Sequence, residues 1–245
     1  MANYPVSAAF KTASGKVLSL VNSAVPDTGA ETEILSGGLN QNNQTGVNFG
    51  QYGVNETITS GLVFTGAGAI SVVAWLESPS GNVMQPLPIG GAGTINGMMP
   101  LCAPVKLMTG MSLKVKLTEI NQNQSYVMAY SPTKSDIFFM GAATGGGAED
   151  ELVSVKTGQS IGNSMVGSRI TKIAAQGNVA STGAATALWP FAYVKAAEGF
   201  VKEAVGLTSY GSDDITGLDG LKVQTFFSDT NYLVAQNDKL YMTLA

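Results

Sequence analysis

The run Leu113-Lys114-Val115-Lys116-Leu117 alternates apolar and polar side chains without a break. Successive side chains of a strand point to opposite faces, so this pattern specifies a strand with one buried and one solvated face. Shorter runs of the same character recur. They cover Lys16–Val21, Glu33–Leu35, Leu62–Phe64, Ile70–Leu76, Val83–Ile89, Val105–Met108, Tyr126–Tyr130 and Ile137–Met140. Within Ile70–Leu76 the β-branched residues favour a strand over a helix. The segment Ser78-Pro79-Ser80-Gly81-Asn82 then supplies a hairpin turn.

Composition agrees with this reading. Charged residues make up 12% of the chain, about half the usual share. Polarity comes from Ser, Thr, Asn and Gln, and there are 30 Gly. Long surface helices lean on Glu, Lys, Arg and Ala, whereas this mixture suits strands joined by many turns. Residues 1–53 are polar and turn-rich, with Gly37-Gly38-Leu39-Asn40-Gln41-Asn42-Asn43-Gln44 too poor in apolar residues to form a core. They are expected to form an extended N-terminal arm with short strands.

Residues 54–140 are expected to form one β-sandwich of jelly-roll type, and 141–149 a Gly-rich linker. Residues 150–245 are expected to form a second sandwich, with strand-like runs at Leu152–Val155, Arg169–Ala174, Ala187–Val194, Leu221–Phe227 and Leu240–Leu244. The fold class is therefore all-β, with two tandem sandwich domains. Ala196–Val205 has the Ala, Glu and Lys content of a helix, weakened by Gly199. An internal echo links Lys106–Leu117 to Tyr232–Leu244: each passes from an apolar pair through a polar turn into an alternating strand. A duplicated sandwich would produce this, and so would any two hairpins.

The chain has no histidine and a single cysteine, Cys102. A Ser-His-Asp triad, a Cys-His dyad, a His-ligated zinc site and an internal disulfide are therefore all excluded. Gly158-Gln159-Ser160-Ile161-Gly162 spells a nucleophile elbow, but Gly162-Asn163 is read as a turn where a helix is required. Ser131-Pro132-Thr133-Lys134 spells Ser-x-x-Lys between two strand-like runs, and it too reads as a turn. The glycines at Gly66–Gly68 and Gly91–Gly97 miss dinucleotide spacing.

A carboxylate pair could hydrolyse glycosides without histidine, yet among Glu56, Glu77, Glu119 and the other acids no pair stands out. Trp75 and Trp189 lie in apolar runs and read as core. Ser212–Gly220 collects acids but lacks EF-hand spacing. Sequons at Asn43, Asn55 and Asn123 matter only in a secretory path, and the N-terminus does not read as a signal peptide. No catalytic, cofactor or metal residues are assigned, and no enzyme activity is expected.

The net charge is −4, with one Arg, Arg169, among 13 basic residues. Without a basic cluster, neither nucleic acid nor an acidic membrane is an expected partner. Met98-Met99-Pro100-Leu101-Cys102-Ala103-Pro104 is apolar and uncharged, and its prolines make it a poor central strand. It reads as a loop whose methionines adapt to a partner. Met98, Met99, Leu101, Leu39 and Phe49 are the expected partner contacts.

The low histidine content, the Gly/Asn/Thr/Ser-rich and acidic composition, and the opening Met1-Ala2-Asn3-Tyr4-Pro5-Val6-Ser7 with its polar arm resemble the accessory virion proteins of tailed bacteriophages. The resemblance is one of style over the whole chain and carries no functional residue across. It implies a non-enzymatic virion protein made in the host cytoplasm, of the capsid decoration (cement) type. The implied partners are the major capsid protein or other virion subunits, engaged as a homo-oligomer or on a lattice. A tail, neck or fibre component, or a glycan-binding adhesion module using Tyr52, Tyr210 or Tyr232, is the alternative.

Overall fold

The computed structural model describes residues 3–35, 46–65, 70–87, 89–90, 98–119, 124–134, 138–142, 149–178, 190–206 and 228–244. Strands account for 61% and helix for 5%, so the fold is all-β. The chain divides into two compact units, Met1–Glu119 and Ile120–Ala245.

Unit 1 contains β1 (Asn3–Thr12), β2 (Val17–Pro26), β3 (Thr28–Ile34), the single-turn helix α1 (Phe49–Tyr52), β4 (Thr57–Thr65), β5 (Ile70–Glu77), β6 (Val83–Pro86), β7 (Ile89–Gly90), β8 (Met99–Lys106) and β9 (Ser112–Glu119). One sheet runs β2-β1-β4, with β7 and β8 both on the far side of β4; the other runs β3-β9-β5-β6. All pairs are antiparallel except the short β4–β7 pair.

Alternation decides which face is buried. Val6, Ala8, Phe10 and Thr12 of β1, Leu18 and Leu20 of β2, and Leu113, Val115 and Leu117 of β9 all point inward. Gln85 of β6 is buried. With its amide oriented to satisfy both ends, Nε2 donates to Ala103 O at 3.0 Å and Oε1 accepts from Cys102 N at 3.2 Å, tying one sheet to the β8 backbone of the other.

Unit 2 contains β10 (Gln124–Tyr130), β11 (Phe138–Ala142), β12 (Asp150–Ser154), the single-turn helix α2 (Ile161–Ser164), β13 (Arg169–Asn178), β14 (Pro190–Lys195), β15 (Val201–Gly206), β16 (Ser228–Leu233) and β17 (Lys239–Leu244). Its strands follow the path β15-β14-β17-β12-β11-β10-β13-β16. β12 serves two neighbours: Asp150–Leu152 pair with β17, while Val153 and Ser154 pair with β11.

The two units repeat one design. In the same direction, unit 1 reads β6-β5-β9-β3 and then β2-β1-β4-β8, and each single-turn helix joins the corresponding strands, β3 to β4 and β12 to β13. The irregularities recur as well. The β5–β6 register slips between Leu76 and Glu77, and the β14–β15 register between Val194 and Lys195. The β4–β8 register slips after Ile58, and the β13–β16 register after Ile170.

The turns match bond for bond. Ser78 N donates to Asn82 O and Gly81 N to Ser78 O, as Ala196 N does to Phe200 O and Gly199 N to Ala196 O. The residues with left-handed backbone coincide too: Asn55 (φ 68°) with Gly167 (φ 74°), and Gly110 (φ 88°) with Asn237 (φ 63°). Asn tolerates this region and a β-branched residue does not. Asn237→Val is therefore expected to lower stability by about 1–2 kcal/mol. Asn237→Gly should stay within about 0.5 kcal/mol of the parent. Urea melts of the two variants check this, and a Val variant as stable as the parent would refute it.

Several sequence expectations are corrected. The supposed arm supplies β1, β2 and β3 to the sheets of unit 1, where Val6, Ala8, Phe10, Leu18, Leu20, Val25 and Ile34 are buried. The division falls after Glu119, so β10 and β11 belong to unit 2, and the expected linker begins within β11; residues 143–148 lie outside the described set. Ala196–Val205 is a turn followed by β15, because Gly199 takes φ 90° and reverses the chain. Met98–Pro104 is largely strand β8, which lies on the far side of β4 from β1; its prolines need no ladder partner on the side away from β4.

Candidate functional site

Two clusters of hydrogen-bonded polar side chains lie in unit 2. The first centres on Asp238, the last residue of the β16–β17 turn, whose side chain is fully buried. Its Oδ1 accepts from Lys202 Nζ at 2.8 Å. Its Oδ2 accepts from Ala235 N at 2.7 Å and from the hydroxyl of Tyr232. Burial pushes this carboxyl up, but the Lys202, Tyr232 and Ala235 hydrogen bonds outweigh it and hold Asp238 below the ordinary carboxylate value. Both oxygens are occupied by groups from β15, β16 and the turn itself, and Gly162 N of α2 donates to the Asp238 carbonyl at 2.9 Å. The cluster fastens four pieces of unit 2 together.

The second cluster lies on the face of β12, β17 and β14 opposite Leu152, Leu240 and Val194. Tyr193 and Tyr241 are register partners, with ring centroids 6.0 Å apart. Lys195 Nζ lies 5.1 Å from the Tyr241 centroid and 5.7 Å from that of Tyr193. Glu149 accepts from Tyr193 Oη at 2.6 Å and from Lys195 Nζ at 2.6 and 2.5 Å. Lys239 bonds Glu151 at 2.8 Å.

The Lys195 and Tyr193 hydrogen bonds hold the Glu149 carboxyl below its usual range. Burial, then the Glu149 bond, pushes the Tyr193 phenol well above its own. The two groups are driven apart and away from neutral pH. The arrangement favours a charged Glu149 carboxylate held by Lys195 and Tyr193. In unit 1 the corresponding face carries Trp75, whose Nε1 donates to Glu77 Oε2 at 3.2 Å, and a Lys114–Glu33 pair at 3.5 Å.

The residues singled out from sequence fall as follows. Ser160 is the N-cap of α2, so a helix does follow it, but one of a single turn, and its carbonyl accepts from Ser164 Oγ at 2.7 Å. Ser131 and Thr133 form a turn with hydroxyls 3.3 Å apart. Trp75 is buried, on the face of β5 opposite Leu76. Of the tyrosines considered for a binding groove, Tyr52 is 39% exposed and Tyr232 is buried on Asp238; Tyr210 lies outside the described residues.

Phe49 and Leu101, expected as contacts, are buried within unit 1. Met98 is half-buried, Met99 sits in β8, and Leu39 lies outside the described residues, as do Gly66–Gly68, Gly91–Gly97, Trp189 and Ser212–Gly220. Both polar clusters escaped sequence reading because their members are scattered over residues 149–241 and only strand pairing joins them. Among the described residues no group of three or more His, Cys, Asp or Glu could hold a metal ion, and no helix is long and apolar enough to cross a membrane. Comparison with known proteins finds no matching family model, no matching curated protein and no matching solved structure.

The apolar side chains left in solvent are the remaining candidate surface. In unit 1 these include Val17, Tyr52, Val54 and Met108. Tyr52, Val54 and Met108 belong to segments in direct contact: Gly50 N donates to Met111 O at 2.9 Å and Asn55 N to Leu107 O at 3.1 Å. In unit 2, Val166 occupies the place of Val54, and the two are almost equally exposed, at 46% and 47%.

Proposed function

We propose that this chain is a non-catalytic structural subunit of a larger assembly, a tailed-phage virion protein of the capsid decoration type built as two tandem β-sandwiches. The observation that carries the reading is the repeated two-sheet unit with an exposed valine beside its helix in both copies. A repeated module suits a partner that itself repeats, as a shell lattice does, and a second weak contact on one chain adds avidity to the first. The weakly charged, histidine-free composition supports the same reading. The contact residues are Tyr52, Val54 and Met108 in unit 1 and, separately, Val166 in unit 2, in place of the buried Phe49 and Leu101.

Quantitative mass spectrometry of purified particles encoding this chain tests the proposal. A copy number equal to that of the major shell subunit, or a simple fraction of it, is expected. A few copies to a few dozen would move the protein to the neck, tail or fibres, and absence from the particle would overturn the virion reading. The double variant Val54→Asp with Val166→Asp should lower the copy number while leaving the melting midpoint of the isolated chain unchanged, because both side chains already face water.

A further inference from the structure

We propose that the two repeats are set apart in acid stability by a polar lock, in which Lys202, Tyr232 and Asp238 of unit 2 replace Met84, Val105 and Met111 of unit 1. Register fixes the correspondence. Lys202 and Met84 are the residues that follow Val201 and Val83, the partners of Lys195 and Glu77 just past the shared slip. Tyr232 pairs with Ile170 as Val105 pairs with Ile58. Asp238 and Met111 each follow the left-handed residue of the turn. Each also accepts the same backbone donor: Ala235 N reaches Asp238 Oδ2 at 2.7 Å, and Met108 N reaches Met111 Sδ at 3.2 Å.

One backbone thus accommodates two solutions to the same interior. The unit 1 solution is apolar and does not titrate. The unit 2 solution depends on a carboxylate. The charged and titratable groups facing Asp238 are Lys202 from β15 and Tyr232 from β16, while the turn and α2 contribute backbone through Ala235 and Gly162. On β17, Lys239 is engaged with Glu151.

The folded carboxyl sits below its ordinary value, so the stabilisation is present above that value and disappears as pH falls through the folded one. Protonation then leaves the Lys202 cation without its counter-charge beside a buried site. Two of the ion pairs in unit 1, Lys16–Glu56 at 3.9 Å and Lys114–Glu33 at 3.5 Å, are longer and partly exposed, so their loss matters less. Acid should therefore open unit 2 while unit 1 is still folded.

Methionine methyl NMR on the full chain reads the two units separately, through Met111 in the core of unit 1 and Met128, Met165 and Met242 in that of unit 2. On titration from pH 7 to pH 2 at constant ionic strength, the unit 2 methyls should leave their native positions at a pH higher than Met111 by on the order of one unit. Lys202→Met with Tyr232→Val and Asp238→Met, which imports the unit 1 solution, should bring the two midpoints together. Asp238→Asn, which keeps the shape and removes the charge, should lower the urea midpoint of the unit 2 methyls at pH 7 and leave that of Met111 in place; it decides alone if the triple variant does not fold. Simultaneous loss of both units in acid, or an unchanged unit 2 urea midpoint in Asp238→Asn, would overturn the proposal.

Discussion

Alanine at Gly50 is expected to destabilise unit 1 by about 3 kcal/mol or more, the upper end of what overpacking costs. A Cβ there would lie 1.9 Å from Met108 O and 2.8 Å from both Met111 N and Met111 Cβ. Most of these are backbone atoms of the β8–β9 turn, which cannot rotate aside. Nor can α1 retreat, because Gly50 N is bonded to Met111 O. The repeat makes the prediction twofold. Gly162 meets the β16–β17 turn in the same way, with a Cβ 2.3 Å from Asp238 N and 2.7 Å from Asp238 O, and its alanine variant should weaken unit 2 comparably. Gly158→Ala is the control: its Cβ would meet nothing within 4 Å, so the cost is that of a left-handed alanine alone, about 1–2 kcal/mol. Urea denaturation of the three variants ranks them, and a Gly50→Ala loss no larger than the control would mean that the helix–turn contact is not tight.

Truncating Phe49 to alanine is expected to cost about 3–5 kcal/mol. The ring is fully buried, with its centroid 4.7 Å from that of Phe10. Beside it, Gly53 passes so close to Leu107 and Leu18 that a Cβ would lie 2.4 and 2.7 Å from their methyl carbons. Removing the ring opens a cavity in well-packed surroundings that cannot collapse onto it. This outcome also separates two roles for the residue. A docking residue would leave the urea midpoint in place and reduce association; a core residue shifts the midpoint, and Phe49 belongs with the core.

The sequence was legible where alternation was strong. Leu113–Leu117 became β9, and the echo between Lys106–Leu117 and Tyr232–Leu244 marks the place where the two units share a turn and a strand. Lys16–Val21 fell in β2, but β1 went unread, because Val6, Ala8 and Phe10 alternate with Ser7 and Ala9, a pattern too faint to rank above the polar surroundings. In Met98–Pro104 it failed differently: proline argues against a central strand, and β8 has that freedom beyond β4. The polar clusters were illegible for a third reason. Lys202 lies 36 positions before Asp238, and Glu149 lies 46 before Lys195, so no spacing rule joins them. Tyr232, a candidate for the glycan-binding alternative, points inward to Asp238.

Two copies of one topology in a single chain carry a hazard during folding. Where register, slips and turns coincide, a strand of one copy can take its counterpart's place in the other and give a hybrid sheet. The lock penalises such exchange. A β16–β17 hairpin paired into unit 1 would bury Asp238 where Met84 stands in place of Lys202, and a β8–β9 hairpin in unit 2 would set Lys202 against Met111. The first strands a buried carboxylate, a costly mismatch in an interior, while the second only leaves the partly exposed Lys202 without its counter-charge. The divergence between Met111 and Asp238 thus disfavours a hybrid sheet relative to pairing within each unit.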